Sequence, residues 1–130
     1  MRSIQTKRVY EPQEEHDGFR VLVDRVWPRG LTKEQVGADL WLRDVAPSTA
    51  LRKWFAHDPS NWEEFKRRYF AELDRKPNSV RVLLKRAAER TVTLLYSAHD
   101  PKHNQAVALR EYLLARSAQH ETSVEDNEVK

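Results

Sequence analysis

The sequence predicts a single α/β domain with a small, mostly parallel sheet flanked by helices. Two short, continuous apolar runs, residues 19–24 and 91–96, have the pattern of strands buried on both faces. Stretches with apolar positions three and four residues apart lie between them and after them, as amphipathic helices require. Strands that alternate with helices favour parallel neighbours, because a helical crossover returns the chain to the same end of the sheet. A length of 130 residues suits one core and one domain.

Each element has its own signal. Residues 4–10 alternate and read as a strand of edge character, and residues 11–18, with Pro12, acids and a glycine, read as a loop. Residues 19–24 form a central strand. Thr32 caps a short helix over residues 33–36, and Leu40-Trp41-Leu42 is a short apolar piece before Pro47. Ser48 caps a helix carrying Leu51, Trp54 and Phe55, which ends near His57-Asp58-Pro59. Ser60, with Glu63 three residues on, has the form of a capping box. The helix it opens places Trp62, Phe65, Tyr69 and Leu73 on one stripe. Pro77-Asn78 breaks that helix, and a third, residues 79–89, buries Val80, Leu83, Leu84 and Ala87. Residues 91–96 are the clearest strand, β-branched and apolar. Asp100 then reads as an N-cap with Pro101 at the first helical position, opening a last helix to about Ala115. The domain is therefore expected over residues 1–115. Residues 116–130 set Arg116 and Lys130 against Glu121, Glu125, Asp126 and Glu128, and are expected to be a disordered acidic tail.

Composition narrows the function classes. Charged residues make up 33% and hydrophobic ones 39%, the latter clustered and periodic, so a globular domain with a heavily charged surface is expected. The chain has no cysteine, which excludes disulfides, thiolate catalysis and cysteine–zinc sites and suits a reducing cytoplasm. Met1-Arg2-Ser3-Ile4 lacks the apolar run of a signal peptide, and no stretch has the length of a membrane span. A cytoplasmic protein with no membrane partner is expected. The net charge of +3 is too modest to argue for nucleic acid by itself.

The strongest chemical signal follows the first central strand, in Val23-Asp24-Arg25-Val26-Trp27-Pro28-Arg29-Gly30. A strand needs only the apolar residues. The loop adds two guanidinium groups, each a rigid fork of donors suited to phosphate or carboxylate, with Asp24 available to orient one of them. In open α/β sheets ligands bind outside the carboxyl ends of strands, so this reads as an anion-binding loop, with a structural Asp–Arg pair beside a core tryptophan as the alternative.

A second cluster, Ser97-Ala98-His99-Asp100-Pro101-Lys102-His103-Asn104, follows the other central strand. Amides at a helix start favour anions, imidazoles exchange protons near neutral pH, and Asn104 offers an amide to a ligand. Plain capping by Asp100, with the histidines in solvent, is the competing reading. A third is His57-Asp58. Metal binding is not expected: His99 and His103 have the spacing of a zinc helix, but Asp100-Pro101 puts a helix boundary between them. Ser97 lacks the flanking glycines of a nucleophile elbow. Basic residues of the middle helices, among them Arg52, Lys53, Arg67, Arg68, Lys85 and Arg86, are interleaved with glutamates and read as a solvated face, with a nucleic-acid stripe as the alternative.

Four blocks in order resemble a known family: Val23 to Gly30; Trp41-Leu42-Arg43-Asp44-Val45-Ala46-Pro47-Ser48; Arg52-Lys53-Trp54-Phe55-Ala56-His57-Asp58; and Leu95-Tyr96-Ser97-Ala98 followed by Asp100, Asn104 and Ala106. The chain looks like the YeaO-like branch of the domain-of-unknown-function 488 family over about residues 3–115. The resemblance implies a small, mainly bacterial cytosolic α/β domain with no established activity. It also implies recurring polar positions at Asp24, Arg25, Arg29, Arg43, His57, Asp100 and Asn104.

Together these readings predict a protein that binds, with or without acting on, a small anionic or phosphorylated ligand at strand C-terminal loops. Arg25, Arg29 and Arg43 grip the anion, Asp100 and Asn104 complete the pocket, and Asp24 and His57 supply any acid–base chemistry. No cofactor or metal is called for. A nucleic-acid-binding module using the basic helices is the alternative.

Overall fold

The apolar run Val92-Thr93-Leu94-Leu95-Tyr96 is buried at every position and forms the centre of the sheet. The computed structural model describes the backbone of residues 3–129 and the side chains of residues 3–117. Its strands are β1 (Ile4–Arg8), β2 (Phe19–Leu22), β3 (Leu40–Trp41) and β4 (Val92–Tyr96), in the order β1-β4-β2-β3. All three pairings are parallel, with Ile4 opposite Val92, Phe19 opposite Val92 and Val21 opposite Leu40. The sequence reading of a small parallel sheet in one α/β domain holds, and β1 is an edge strand.

Helices α1 (Lys33–Val36), α2 (Thr49–Phe55), α3 (Trp62–Asp74), α4 (Pro77–Glu89) and α5 (Gln105–Val129) complete the fold. Side chains alternate across the strands and so feed two apolar clusters of unequal size. Val21, Val92, Leu94 and Tyr96 join the larger one, with Leu51 and Phe55 of α2, Phe65, Tyr69 and Leu73 of α3, Leu83 of α4 and Leu109 and Leu113 of α5. Leu22 and Leu95 point the other way, toward Val9, Val36, Trp27 and Trp41. The four longer helices therefore pack into one cluster, while the opposite face is closed by the single turn of α1 and by loops.

A buried ion cluster locks that second face. Asp17 is fully buried and meets the Arg20 guanidinium at 2.5 Å and the Lys7 ammonium at 2.8 Å. Arg20 also donates to the carbonyls of Gly37 and Val36 at 3.0 and 2.8 Å, tying the β1–β2 loop to α1. Gly18 closes this loop at φ +65°, where an added Cβ would lie 2.3 Å from the Thr91 carbonyl oxygen, so only glycine fits.

Three boundaries differ from the sequence reading. The Ser60–Glu63 capping box does not form; Asp58 accepts from the Ser60 amide and hydroxyl at 3.0 and 2.8 Å instead, shaping one 3₁₀ turn that leads into α3. Pro77 is not outside the third helix but at its first turn, where its missing N–H costs nothing. The last helix starts at Gln105, because Asp100 closes a preceding turn through the amides of Lys102 and His103 at 2.8 and 3.2 Å. The cap is Asn104, whose Oδ1 accepts from the Val107 amide at 3.0 Å. Helix α5 then runs past Ala115, through the acidic segment that the sequence reading leaves outside the domain.

Candidate functional site

The carboxyl ends of β1, β2 and β4 open into a cleft of about 740 Å³, the position expected for a ligand in an open α/β sheet. Strand β1 brings Arg8 and Tyr10, β2 brings Asp24, Arg25, Trp27 and Arg29, and β4 brings Ser97, Ala98 and His99. Arg52, Lys53 and His57 enter from α2 and its end, and Gln105 from the start of α5.

Asp24 forms the floor and is only 6% exposed. Its Oδ2 accepts from the Ser97 amide at 3.0 Å and the Ser97 hydroxyl at 2.6 Å, and its Oδ1 accepts from the Gln105 amide. Burial pushes its pKa above the ordinary aspartate value, more than the Ser97 bonds, the Arg52 charge and the Gln105 bond pull it down. The expected pairing of Asp24 with an arginine of its own loop is not made: its partners come from β4 and α5.

The arginines are oriented by carbonyls rather than by acids. Arg25 Nε and Nη2 donate to Pro47 O and Ala46 O at 3.3 and 3.2 Å. Arg8 Nε donates to Ala98 O at 3.0 Å and its Nη2 to His99 Nδ1 at 3.1 Å, while the guanidinium lies 4.6 Å from the centre of the Tyr10 ring. The Arg29 main chain is held by Tyr10, whose hydroxyl donates to Arg29 O at 2.8 Å, and the Arg29 side chain is exposed. Trp27 is half-buried, donates to Leu31 O at 2.7 Å and sits edge-on to Trp41 at 5.3 Å, so it walls the cleft from a packed position.

His57 reaches the cleft through an unusual turn. Ala56 and His57 lie at φ 51° and 56°, two consecutive non-glycine residues in the left-handed region after α2, a conformation with a steric penalty for residues carrying a Cβ. Asp58 does not pair with His57, being engaged by Ser60.

Of the residues singled out in the sequence, Asp24, Arg25, Arg29 and His57 are brought together. Arg43, Asp100 and Asn104 do not line the cleft. Arg43 stacks 4.8 Å from the Trp41 ring. Asp100 accepts from His103 Nδ1 at 2.8 Å, and His103 in turn sits edge-on to Trp62 at 5.4 Å. Asn104 is 1% exposed, and its amide is shared between the Val107 cap and a 2.9 Å bond to Asp100 O. Arg8, Arg52, Lys53 and Gln105 were not singled out for the site. The strand-end rule reaches Arg8 once β1 is known to border β4, and Arg52 and Lys53 belong to the same sequence block as His57.

Among the described residues, the one group with the composition of a metal site, Glu14, His16 and Asp17, already surrounds a cation, the Lys7 ammonium at 2.7 Å from Glu14 and 2.8 Å from Asp17. No helix of the described residues is long and apolar enough to cross a membrane.

Comparison with known proteins matches the chain to a family. The family model described as the inactive DUF488-N3 subclade matches residues 3–129. The Escherichia coli (strain K12) protein named "Uncharacterized protein YeaO" is 41% identical over 111 residues, 85% of this chain and 96% of its own. "Uncharacterized protein Mb3100c" of Mycobacterium bovis is 47% identical over 70 residues, 54% of this chain and 59% of its own. "Uncharacterized protein Rv3073c" of Mycobacterium tuberculosis (strain ATCC 25618 / H37Rv) gives the same figures. No solved structure matches. With a family model over nearly the whole chain and a full-length relative at this identity, the chain belongs to the DUF488 family, as a YeaO-like member of the subclade described as inactive DUF488-N3.

Proposed function

We propose that the cleft binds a small anionic, phosphorylated ligand. One observation carries this reading: Arg8, Arg25, Arg29, Arg52 and Lys53 line the cleft, and among the described residues none of them has a carboxylate within ion-pair distance. Clustered cations repel one another, and an anion bound among them relieves that repulsion while receiving charge-assisted hydrogen bonds. Some cations elsewhere are neutralised within one element, as where Arg67 and Arg68 share Glu64 at 2.5 and 2.7 Å.

Binding without turnover is the form of the proposal that the subclade's description as inactive supports. Asp24 and His57 then act as ligand contacts. The nucleic-acid alternative draws no support from α3, where Lys66 lies 3.2 Å from both Glu63 and Glu111 and Arg67 and Arg68 are paired as above.

A thermal-shift panel on wild type and Arg29→Ala tests the proposal, with inorganic phosphate, sugar phosphates, nucleotides, carboxylates, divalent metals and a short oligonucleotide. A ligand that binds only the folded state raises the melting temperature. The expected result is a shift with a phosphorylated compound in wild type that is lost in Arg29→Ala, the free proteins melting alike. No shift with any anion, or a shift indifferent to Arg29, overturns it.

A further inference from the structure

The cleft is not uniformly cationic. Its floor is a carboxylate, Asp24, more than nine-tenths buried and without an ion-pair partner among the described residues. A bare anion seated deep among the cations would approach this carboxylate and be repelled by it. The arrangement suits a ligand of two characters, anionic where it meets the rim and donating where it meets the floor.

The donor set on Asp24 narrows the second character. An ionised carboxylate has about four acceptor positions. Ser97 takes two on Oδ2 and Gln105 takes one on Oδ1, so the floor can accept one further hydrogen bond at Oδ1. Ser97 and Gln105 themselves line the cleft, and each carries both donor and acceptor capacity. An ammonium group would suit the carboxylate but would have to sit beneath five basic side chains. A hydroxyl donates without bringing that charge, and a neighbouring hydroxyl can address Ser97 or Gln105. The cleft volume of about 740 Å³ far exceeds what a lone phosphate fills and lies within the range of small-molecule sites.

We propose that the ligand is a phosphorylated polyol, its phosphate held by the arginine rim and a hydroxyl donated to Asp24 on the floor. This rests on the anion-binding reading above and adds the ligand's second half to it. The same geometry disfavours compounds charged at both ends, such as dicarboxylates and bisphosphates, because one end would face the aspartate.

The test compares dissociation constants for two probes, ribose 5-phosphate and methyl phosphate, in wild type, Asp24→Asn and Arg29→Ala. Methyl phosphate carries a phosphate of the same kind without hydroxyls. Wild type should bind ribose 5-phosphate at least about tenfold more tightly, the scale of one hydrogen bond to a charged group. Asp24→Asn keeps the shape and an acceptor for Ser97, and should bring the two probes within about twofold of each other, with methyl phosphate bound no more weakly than before. Arg29→Ala should weaken both and leave their ratio intact. Equal affinities in wild type, or a preference that survives Asp24→Asn, overturn the polyol inference while leaving the anion site standing. Binding of neither probe overturns both. The wild-type comparison can be repeated with deoxyribose 5-phosphates, so a failure of Asp24→Asn to fold leaves the inference decidable: loss of preference on removing a hydroxyl supports it, and indifference to every hydroxyl ends it.

Discussion

Asp24 and Ser97 join the carboxyl ends of two neighbouring parallel strands through one side chain: the carboxylate accepts the Ser97 amide at 3.0 Å and the Ser97 hydroxyl at 2.6 Å. These are bonds a neutral asparagine oxygen could also accept, so the charge itself is not needed to hold the strands together. The charge is instead a burden, since burial raises the Asp24 pKa above its unfolded value. The folded state then binds protons more readily than the unfolded one, and stability attributable to this group rises as pH falls through the raised pKa toward the ordinary aspartate range. At neutral pH Asp24→Asn should melt no lower than wild type, and Asp24→Ala should melt lower, having lost the acceptor. Urea unfolding of wild type and Asp24→Asn from pH 7 to 4 checks the sign: the deficit of wild type should shrink on acidification.

The Lys7–Asp17–Arg20 cluster has the opposite pH signature. Burial alone would raise the Asp17 pKa, but bonds from the Lys7 ammonium, the Glu14 amide and the Arg20 guanidinium together hold it below the ordinary value. Its contribution is complete above the unfolded aspartate pKa and is lost as pH falls through the lowered folded one. Asp17→Asn should therefore flatten stability against pH below about 4, the region of the ordinary aspartate pKa. Asp17→Ala leaves Arg20 without its acid and Lys7 with Glu14 alone, and should cost about 3–5 kcal/mol at neutral pH, the scale for breaking a buried ion pair, measured as a fall in the urea midpoint.

These two aspartates show where the sequence was legible. Asp24 could be found because it ends a strand recognisable from its own residues, and the strand-end rule then points to the loop. Asp17 sits in a segment that reads as a loop, and its partner Lys7 is brought beside it only by pairing between β1 and β4, strands whose first paired positions, Ile4 and Val92, lie 88 residues apart in the chain. Arg52 and Lys53 were missed for a related reason: exposed basic positions on a helix look the same in sequence whether they face solvent or a cleft. Asp100 and Asn104 are both competent caps, and local rules favour Asp100 because proline follows it. The choice went to Asn104 because the Asp100 carboxylate is taken by His103 and the turn before the helix.

The left-handed pair at the end of α2 gives a further prediction. Ala56 carries a steric penalty at φ 51° that glycine does not. Ala56→Gly should stabilise the fold by up to about 1 kcal/mol, the left-handed penalty less the entropy that glycine adds to the unfolded chain. Ala56→Val, adding β-branching at the same φ, should destabilise it. If the turn serves to hold His57 at the cleft, Ala56→Gly should also weaken binding of a phosphorylated probe despite the higher melting temperature. Paired thermal and binding measurements on the two variants read both effects.

Arg25 and Arg29 stand four residues apart in one loop, yet their substitutions should separate cleanly. Arg25 is half-buried and spends Nε and Nη2 on the carbonyls of Pro47 and Ala46. Ala46 and Pro47 are themselves buried; Ala46 O keeps a 3.4 Å bond from Lys76 Nζ, so Arg25→Ala strands the Pro47 acceptor and should cost about 1–3 kcal/mol of stability in addition to any ligand affinity. Arg25→Lys should recover little of that, because an ammonium cannot reproduce a planar fork across two carbonyls. Arg29 is exposed, and only its main chain is bound, by the Tyr10 hydroxyl. Arg29→Ala should leave the free protein's melting temperature nearly unchanged, as surface substitutions without partners do, and should act on the anion alone. Melting curves of both variants with and without a phosphorylated probe decide it: a fall in free-protein stability on Arg29→Ala would place that guanidinium in the scaffold, and an unchanged one on Arg25→Ala would show that the Pro47 carbonyl needs no protein donor.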